Sequence, residues 1–192
     1  MVGVPLSLYA VNHRTPAATL PPRPEPETYI IAQEDPDPVQ SEADPVVLID
    51  YTDPDIPIED QDSAKKYGKE YNICPELLEA VAYAESRYEP AAKNGSCVGL
   101  MQINVPCHMD RMARLKVSEE DLLQIDPNME VAADYLRELF DQYEDAGEVL
   151  MIYNGDSNVV KYRKTGVMSV YASSVLSMSL ELEQKHEQTY TA

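Results

Sequence analysis

The stretch 75-PELLEAVAYAESRYEPAAKNGSCVGLMQI-103 decides how the chain folds, and its one unusual acid, Glu85, points to what the fold is for. Pro75 stands where a helix accepts proline, followed by an acid in the first turn, and the spacing predicts a helix over 75–88. Leu78, Val81 and Glu85 fall at i, i+3 and i+7, so the glutamate shares the face that carries core leucine and valine. Glu85 also lies near the carboxyl end of that helix, where the macrodipole is negative. Apolar neighbours and dipole both disfavour a carboxylate, which predicts a raised pKa. An acid that keeps its proton near neutral pH can serve as a general acid. The plainer reading is a surface glutamate paired with Arg87. After the helix comes an Asn94-Gly95 turn and the uncharged run Gly99-Leu100-Met101-Gln102-Ile103.

Outward from this stretch, helical periodicity continues. Over 61-QDSAKKYGKEYNI-73, Ala64, Tyr67 and Tyr71 share a face, with Asp62 or Ser63 as cap. The segment 118-SEEDLLQ-124 opens with a capping box, Ser118 with Asp121. An amphipathic helix follows over 127–143 through Val131, Tyr135, Leu136, Leu139 and Tyr143, then an apolar run over 146–155 and a terminal helix over 168–185. No segment alternates at period two for long, and no internal repeat is visible. The expected fold class is all-α: a compact helical domain over 59–187 with a disordered tail over 188–192.

Before it, eleven of the fifteen prolines fall within the first 60 residues, as in 21-PPRPEPE-27 and 35-DPDP-38. Fixed extended φ angles, few large apolar groups and mutual repulsion predict that residues 1–58 form a disordered acidic Pro-rich linker. The apolar island 45-PVVLI-49 is a candidate for docking. The start, 1-MVGVPLSLYAVNHR-14, has no positive residue ahead of its apolar run and is interrupted by Pro5, so it makes a poor signal peptide.

The net charge of −19 includes no basic stripe, which argues against a nucleic-acid partner and against anionic membrane surfaces. Three cysteines do not make a disulfide framework. Cys97 and Cys107 flank the Gly-Leu-Met-Gln run and either bridge it or stay free. Together with His108 they match no zinc spacing, so no metal and no cofactor are expected.

Glu85-Ser86, Asn94-Gly95, Gly99-Leu100-Met101-Gln102-Ile103, Tyr135-Leu136 and Tyr153-Asn154-Gly155, in this order, resemble the catalytic domain of soluble lytic transglycosylases, which share a lysozyme-like fold with goose-type lysozyme. The resemblance covers roughly residues 60–180. It implies cleavage of the β-1,4 bond between N-acetylmuramic acid and N-acetylglucosamine in peptidoglycan, leaving 1,6-anhydromuramic ends. By this resemblance Glu85 is the single catalytic acid. It protonates the glycosidic oxygen and then, as carboxylate, takes the proton of the muramic C6 hydroxyl. Substrate-binding positions carried over in the same way are Ser86, Gly99, Met101, Gln102, Tyr153, Asn154 and Tyr171. Gly99 is expected to let the backbone approach the sugar, Met101 and Gln102 to face the glycan, and the Tyr153 phenol to approach the acid. Asn128 fits a helix-start motif and is expected to cap. The chain departs from the family pattern at Tyr88, where phenylalanine is common, at Ile152, where alanine is common, and throughout 104-NVPCHMDRMARLKV-117.

The implied partner is the peptidoglycan glycan strand, approached by a monomer working outside the cytoplasm. Its export signal is not visible here. Wall remodelling, secretion-system assembly and conjugation all use such domains. A hydrolytic muramidase and a non-catalytic peptidoglycan-binding module are the alternatives to lytic cleavage.

Overall fold

Helix α2 (Pro75–Ser86) has helix α1 (Ile58–Tyr71) and the terminal helix α7 (Val170–Tyr190) packed against it. The computed structural model describes the backbone of residues 52–190 and the side chains of residues 52–187. The expected linker as far as residue 51, with its apolar island, and residues 191–192 lie outside the described residues. Helix α4 (Ile125–Gln142) packs on α1, and α5 (Ala146–Tyr153) joins α4 to α7. Helix α3 (Val105–Leu115) and the short α6 (Val159–Thr165) complete the all-α architecture. No helix among the described residues is long and apolar enough to cross a membrane.

Leu78 and Val81 of α2 are fully buried, with Met129, Val131 and Leu136 of α4 and Leu150 and Met151 of α5. Each of the larger side chains contributes roughly 1.5–3 kcal/mol through its removal from water. The helix periodicity therefore locates the core correctly along α2 and α4.

The start of the domain differs from expectation. Helix α1 begins at Ile58, after Pro57, and neither Asp62 nor Ser63 caps it. The buried Gln61 side chain instead accepts the Asp53 N–H and donates to the Asp53 and Ile56 carbonyls, each at 2.8 Å. The expected linker boundary at residue 58 is thus too late, because these three bonds fasten residues 53–56 to the helix. Ser63 donates to Asp126 of α4 at 2.8 Å. At the other end α7 continues to Tyr190, past the expected limit of 187.

Residues 118–124 do not form a helix of their own. Ser118 and Asp121 exchange the expected capping bonds, but the turn is a 3-10 turn over Asp121–Leu123. Gln124 is extended, and α4 starts directly after it. Helices α3 and α6 were not expected. Nor was the antiparallel sheet of β1 (Lys93–Asn94), β2 (Cys97–Val98) and β3 (Ile103–Asn104), which pairs Asn94 with Cys97 and Cys97 with Asn104.

One side chain holds this sheet to the helices. Asn128, fully buried in the first part of α4, donates to the Leu122 carbonyl at 2.8 Å and the Val98 carbonyl at 3.0 Å, and accepts the Met101 N–H at 2.7 Å. It is a bridge between three segments rather than the expected helix cap. Gly99 makes the approach feasible: its φ is +83°, and a β-carbon there would overlap both the Asn128 amide nitrogen and the Leu122 carbonyl oxygen. Replacing Gly99 by alanine is expected to cost about 3–5 kcal/mol, read as a lowered urea midpoint with an unchanged slope.

Two acidic side chains are buried without such satisfaction. Asp60 and Glu79 are both 1% exposed, and one carboxyl oxygen of each has no hydrogen-bond partner among the described residues. Burial pushes Asp60 up to about 6 and Glu79 up to about 8. Because the unfolded chain releases these protons at lower pH than the folded one, the two groups favour the fold most below about pH 4, and their contribution falls as pH rises, levelling off above about 8. Glu79→Gln should flatten that decline, which for one such group reaches about 1.4 kcal/mol per pH unit. Thermal melts between pH 5 and 9 measure it.

Candidate active site

Helix α2 ends abruptly just past Glu85. Arg87 and Tyr88 both adopt left-handed backbone, at φ of 60° and 63°, an arrangement that L-residues take only when their surroundings enforce it. Ser86 closes the helix: its hydroxyl donates to the Ala82 carbonyl and accepts the Glu89 N–H, both at 3.2 Å. The chain turns away toward β1, and Glu85 is left half-buried at the wall of a cleft of about 520 Å³.

Glu85 carries the electrostatics expected of an acid in such a place. Burial raises its pKa, and the Tyr171 hydroxyl, donating to Oε1 at 2.6 Å, pulls in the opposite direction. The net shift is upward. Tyr171 comes from the first turn of α7, so this bond joins the helix that carries the acid to the last helix of the chain. Burial and the neighbouring Glu85 charge keep the phenol itself from ionising.

Of the other residues expected at the site, Gln102, Tyr153 and Asn154 line the cleft with Glu85. Gln102 does so with its amide nitrogen already committed to the Gly99 carbonyl at 2.8 Å and the Ala92 carbonyl at 3.2 Å. The Tyr153 phenol lies close enough to the acid to feel the Glu85 charge, and donates its hydrogen bond to the Met101 carbonyl at 2.8 Å. The hydrogen bond to the acid itself comes from Tyr171. Three expectations are corrected. Ser86 spends its hydroxyl on the helix end and does not line the cleft. Met101 is fully buried, so its thioether packs in the core. Gly99 brings the backbone against Asn128 and Leu122, not against a sugar.

With the motif residues Asn94 and Tyr135, the cleft also includes residues that the sequence did not single out for it: Cys97, Asn104, Cys107, His108, Arg111 and Glu138. Cys97 and Cys107 are free thiols, as is Cys74. Burial and the nearby Glu85 charge push the Cys97 thiol up. Also lining the cleft, Arg111 of α3 is held by Asp134 at 2.8 Å and by Glu138, and lies over the Tyr135 ring at 4.7 Å. His108 and Tyr153 both pack on Tyr135, with ring centroids 4.6 and 5.6 Å away. One signal for this wall was present: His108 and Arg111 stand at i and i+3, which puts them on one face of α3.

The carboxylates of the cleft are Glu85 and Glu138 among the described residues, and Glu138 is tied to Arg111. Asp126 is paired with Lys66 at 2.6 Å outside the cleft, and Asp156 accepts bonds from Asn158 in its own turn. A shallower hollow of about 540 Å³, between Glu59, Asp62, Leu123 and Pro127, contains none of the motif residues.

A family model described as the Transglycosylase SLT domain matches residues 62–171, from the first half of α1 to the tyrosine that bonds Glu85. The chain belongs to this family. SLT domains are glycan-cleaving domains of the lytic transglycosylase type, and their substrate is peptidoglycan. Invasion protein IagB of Salmonella typhimurium (strain SL1344) is 34% identical over 114 residues, covering 56% of this chain and 68% of that protein. The X polypeptide of Escherichia coli (strain K12) is 34% identical over 107 residues, 51% of this chain and 58% of its own length. Among solved structures, an inactive mutant of the lytic transglycosylase Slt from Pseudomonas aeruginosa superposes with a TM-score of 0.58 at 19% identity, over 68% of this chain and 25% of that one. That likeness is one of fold, and it places this SLT domain among the lysozyme-like helical architectures.

The hydrogen bond from Tyr171 stabilises the Glu85 carboxylate, so removing it leaves burial unopposed. Tyr171→Phe is therefore expected to raise the Glu85 pKa further above that of the parent. A carbon-13 NMR titration of the glutamate carboxyl carbons reads this directly, and a pKa that stays put or falls would contradict the arrangement.

Proposed function

We propose that this SLT domain cleaves the β-1,4 bond between N-acetylmuramic acid and N-acetylglucosamine with Glu85 as its single acid and base. The observation that carries the reading is one protonatable carboxyl group in the cleft with, among the described residues, no second carboxylate of the cleft free to act with it. A glycosidase that uses water or a covalent intermediate ordinarily needs two carboxyl groups. With Glu138 held by Arg111, the second role falls to the substrate's own C6 hydroxyl. Glu85 gives its proton to the glycosidic oxygen as the C1–O bond breaks. The resulting carboxylate then takes the proton of the C6 hydroxyl as its oxygen bonds C1, closing the 1,6-anhydro ring and restoring the acid.

Tyr171 fits this cycle as the partner that keeps Glu85 oriented in both states, donating to the carboxylate between the two proton transfers. Tyr153 and Asn154, from the end of α5, and Gln102, from the β2–β3 loop, supply the sugar-facing wall. The substrate places the domain outside the cytoplasm. The likeness to a relative named as an invasion protein supports a role at the cell envelope.

Digestion of purified peptidoglycan followed by mass spectrometry decides the reaction. The expected products carry anhydromuramic ends, lighter by one water than hydrolytic ends; hydrated ends alone would assign a muramidase instead. Glu85→Gln is expected to lower the rate on the order of a thousandfold while melting like the parent. A variant that clears wall suspensions at the parental rate would sink the assignment of the acid.

A further inference from the structure

His108 lies on the cleft wall contributed by α3 and α4, and its geometry leaves one polar atom without a task. The Arg111 Nη1 lies 2.6 Å from the His108 Nδ1. A guanidinium can only donate, so Nδ1 accepts and the ring proton sits on Nε2. Burial and the Arg111 charge lower the His108 pKa, which keeps the ring in this neutral form. One face of the ring packs on Tyr135 at 4.6 Å, and Arg111 is fixed in turn by Asp134, Glu138 and the same aromatic ring. The imidazole is therefore held at an edge and a face, in a single tautomer and a single orientation.

Nε2–H is the remaining edge. It has no acceptor among the described residues, and it is not among the atoms sealed from solvent without a partner, although His108 as a whole is only 9% exposed. His108 lines the same cleft as Glu85, Tyr153 and Asn154. We propose that His108 is a glycan-binding residue whose Nε2–H donates to an uncharged acceptor oxygen of an N-acetylated sugar in the cleft. An uncharged acceptor suits the surroundings: Asp134 and Glu138 already neutralise Arg111, and the Glu138 carboxylate repels an anion. A fixed donor with a pre-set tautomer costs little ordering on binding, which is what specificity for a neutral sugar requires.

The inference rests on the function proposed above, and the experiment separates the two. The Glu85→Gln protein, which binds without turnover, is titrated with a GlcNAc–MurNAc tetrasaccharide by calorimetry, alone and combined with His108→Phe or His108→Gln. His108→Phe keeps the bulk and removes the donor; it is expected to weaken binding about tenfold or more. His108→Gln restores an N–H donor and is expected to recover most of that loss. In nitrogen-15 spectra of the Glu85→Gln protein, the Nε2–H resonance should shift on saturation, a response that a merely structural histidine would not give. Unchanged affinity in His108→Phe, or a resonance that does not move while the sugar binds, overturns the role of His108 and leaves that of Glu85 standing. If the Glu85→Gln protein binds no tetrasaccharide at all, the glycan-cleft reading itself fails and the His108 donor with it.

Discussion

The carboxamide of Asn128 is the constraint on which the cleft depends. Three segments meet at it: β2 through the Val98 carbonyl, the 3-10 turn through the Leu122 carbonyl, and the Gly-Leu-Met-Gln loop through the Met101 N–H. All three partners are inside the protein, so loss of the amide would strand each at about 1–3 kcal/mol. The bridge also relays position outward. It fixes the Met101 backbone, whose carbonyl receives the Tyr153 hydroxyl, and Tyr153 in turn packs on Tyr135. A buried amide, a backbone carbonyl and two aromatic rings thus connect the sheet to both helical walls. The Met101 side chain, buried in the core, anchors the same loop from its other side.

Two glutamates of one helix show why a shifted pKa does not by itself locate a functional site. Glu79 is more deeply buried than Glu85, and its pKa is pushed up to about 8. Six residues separate them, which at 3.6 residues per turn puts them on different faces of α2. Glu79 is sealed from solvent within range of the Asp60 charge, and lines neither the cleft nor the hollow beside α1. Glu85 points into the cleft and has a specific phenol beside it. Access and a partner distinguish the two, while desolvation acts on both.

The sequence revealed most where burial follows a period. Leu78, Val81 and Glu85 on α2, and Val131, Leu136 and Leu139 on α4, repeat at helical spacing and were legible without coordinates. Helix α3 was not, because its inward positions include His108, an imidazole in place of an aliphatic side chain, and its other buried position is Met112. Helix α6 is short and buries only Tyr162. For the cleft, the order of motifs located Glu85, Gln102, Tyr153 and Asn154 but not the direction of each contact. A glycine at position 99 is required equally by a sugar above the loop and by an amide beneath it. Only the position of Asn128 distinguishes these, and that position depends on a contact 29 residues away in the chain. The same holds for Met101 and Ser86, whose neighbours in space are set by helix ends and packing rather than by the motif around them.

The charge of the chain sets how such a cleft has to work. At −19 the protein gains nothing from long-range attraction to an anionic wall polymer, and encounter is not steered. Recognition then depends on short-range contacts: hydrogen bonds from fixed donors and acceptors, and the faces of aromatic rings. The chain has no tryptophan and one phenylalanine, so tyrosine supplies most of the aromatic surface. Within the cleft the positive charge of Arg111 is enclosed by two carboxylates and used to orient an imidazole, not displayed to the substrate. The site thereby stays close to neutral inside an acidic protein. In such surroundings the Glu85 proton is governed by burial and by one phenol rather than by the net charge around it.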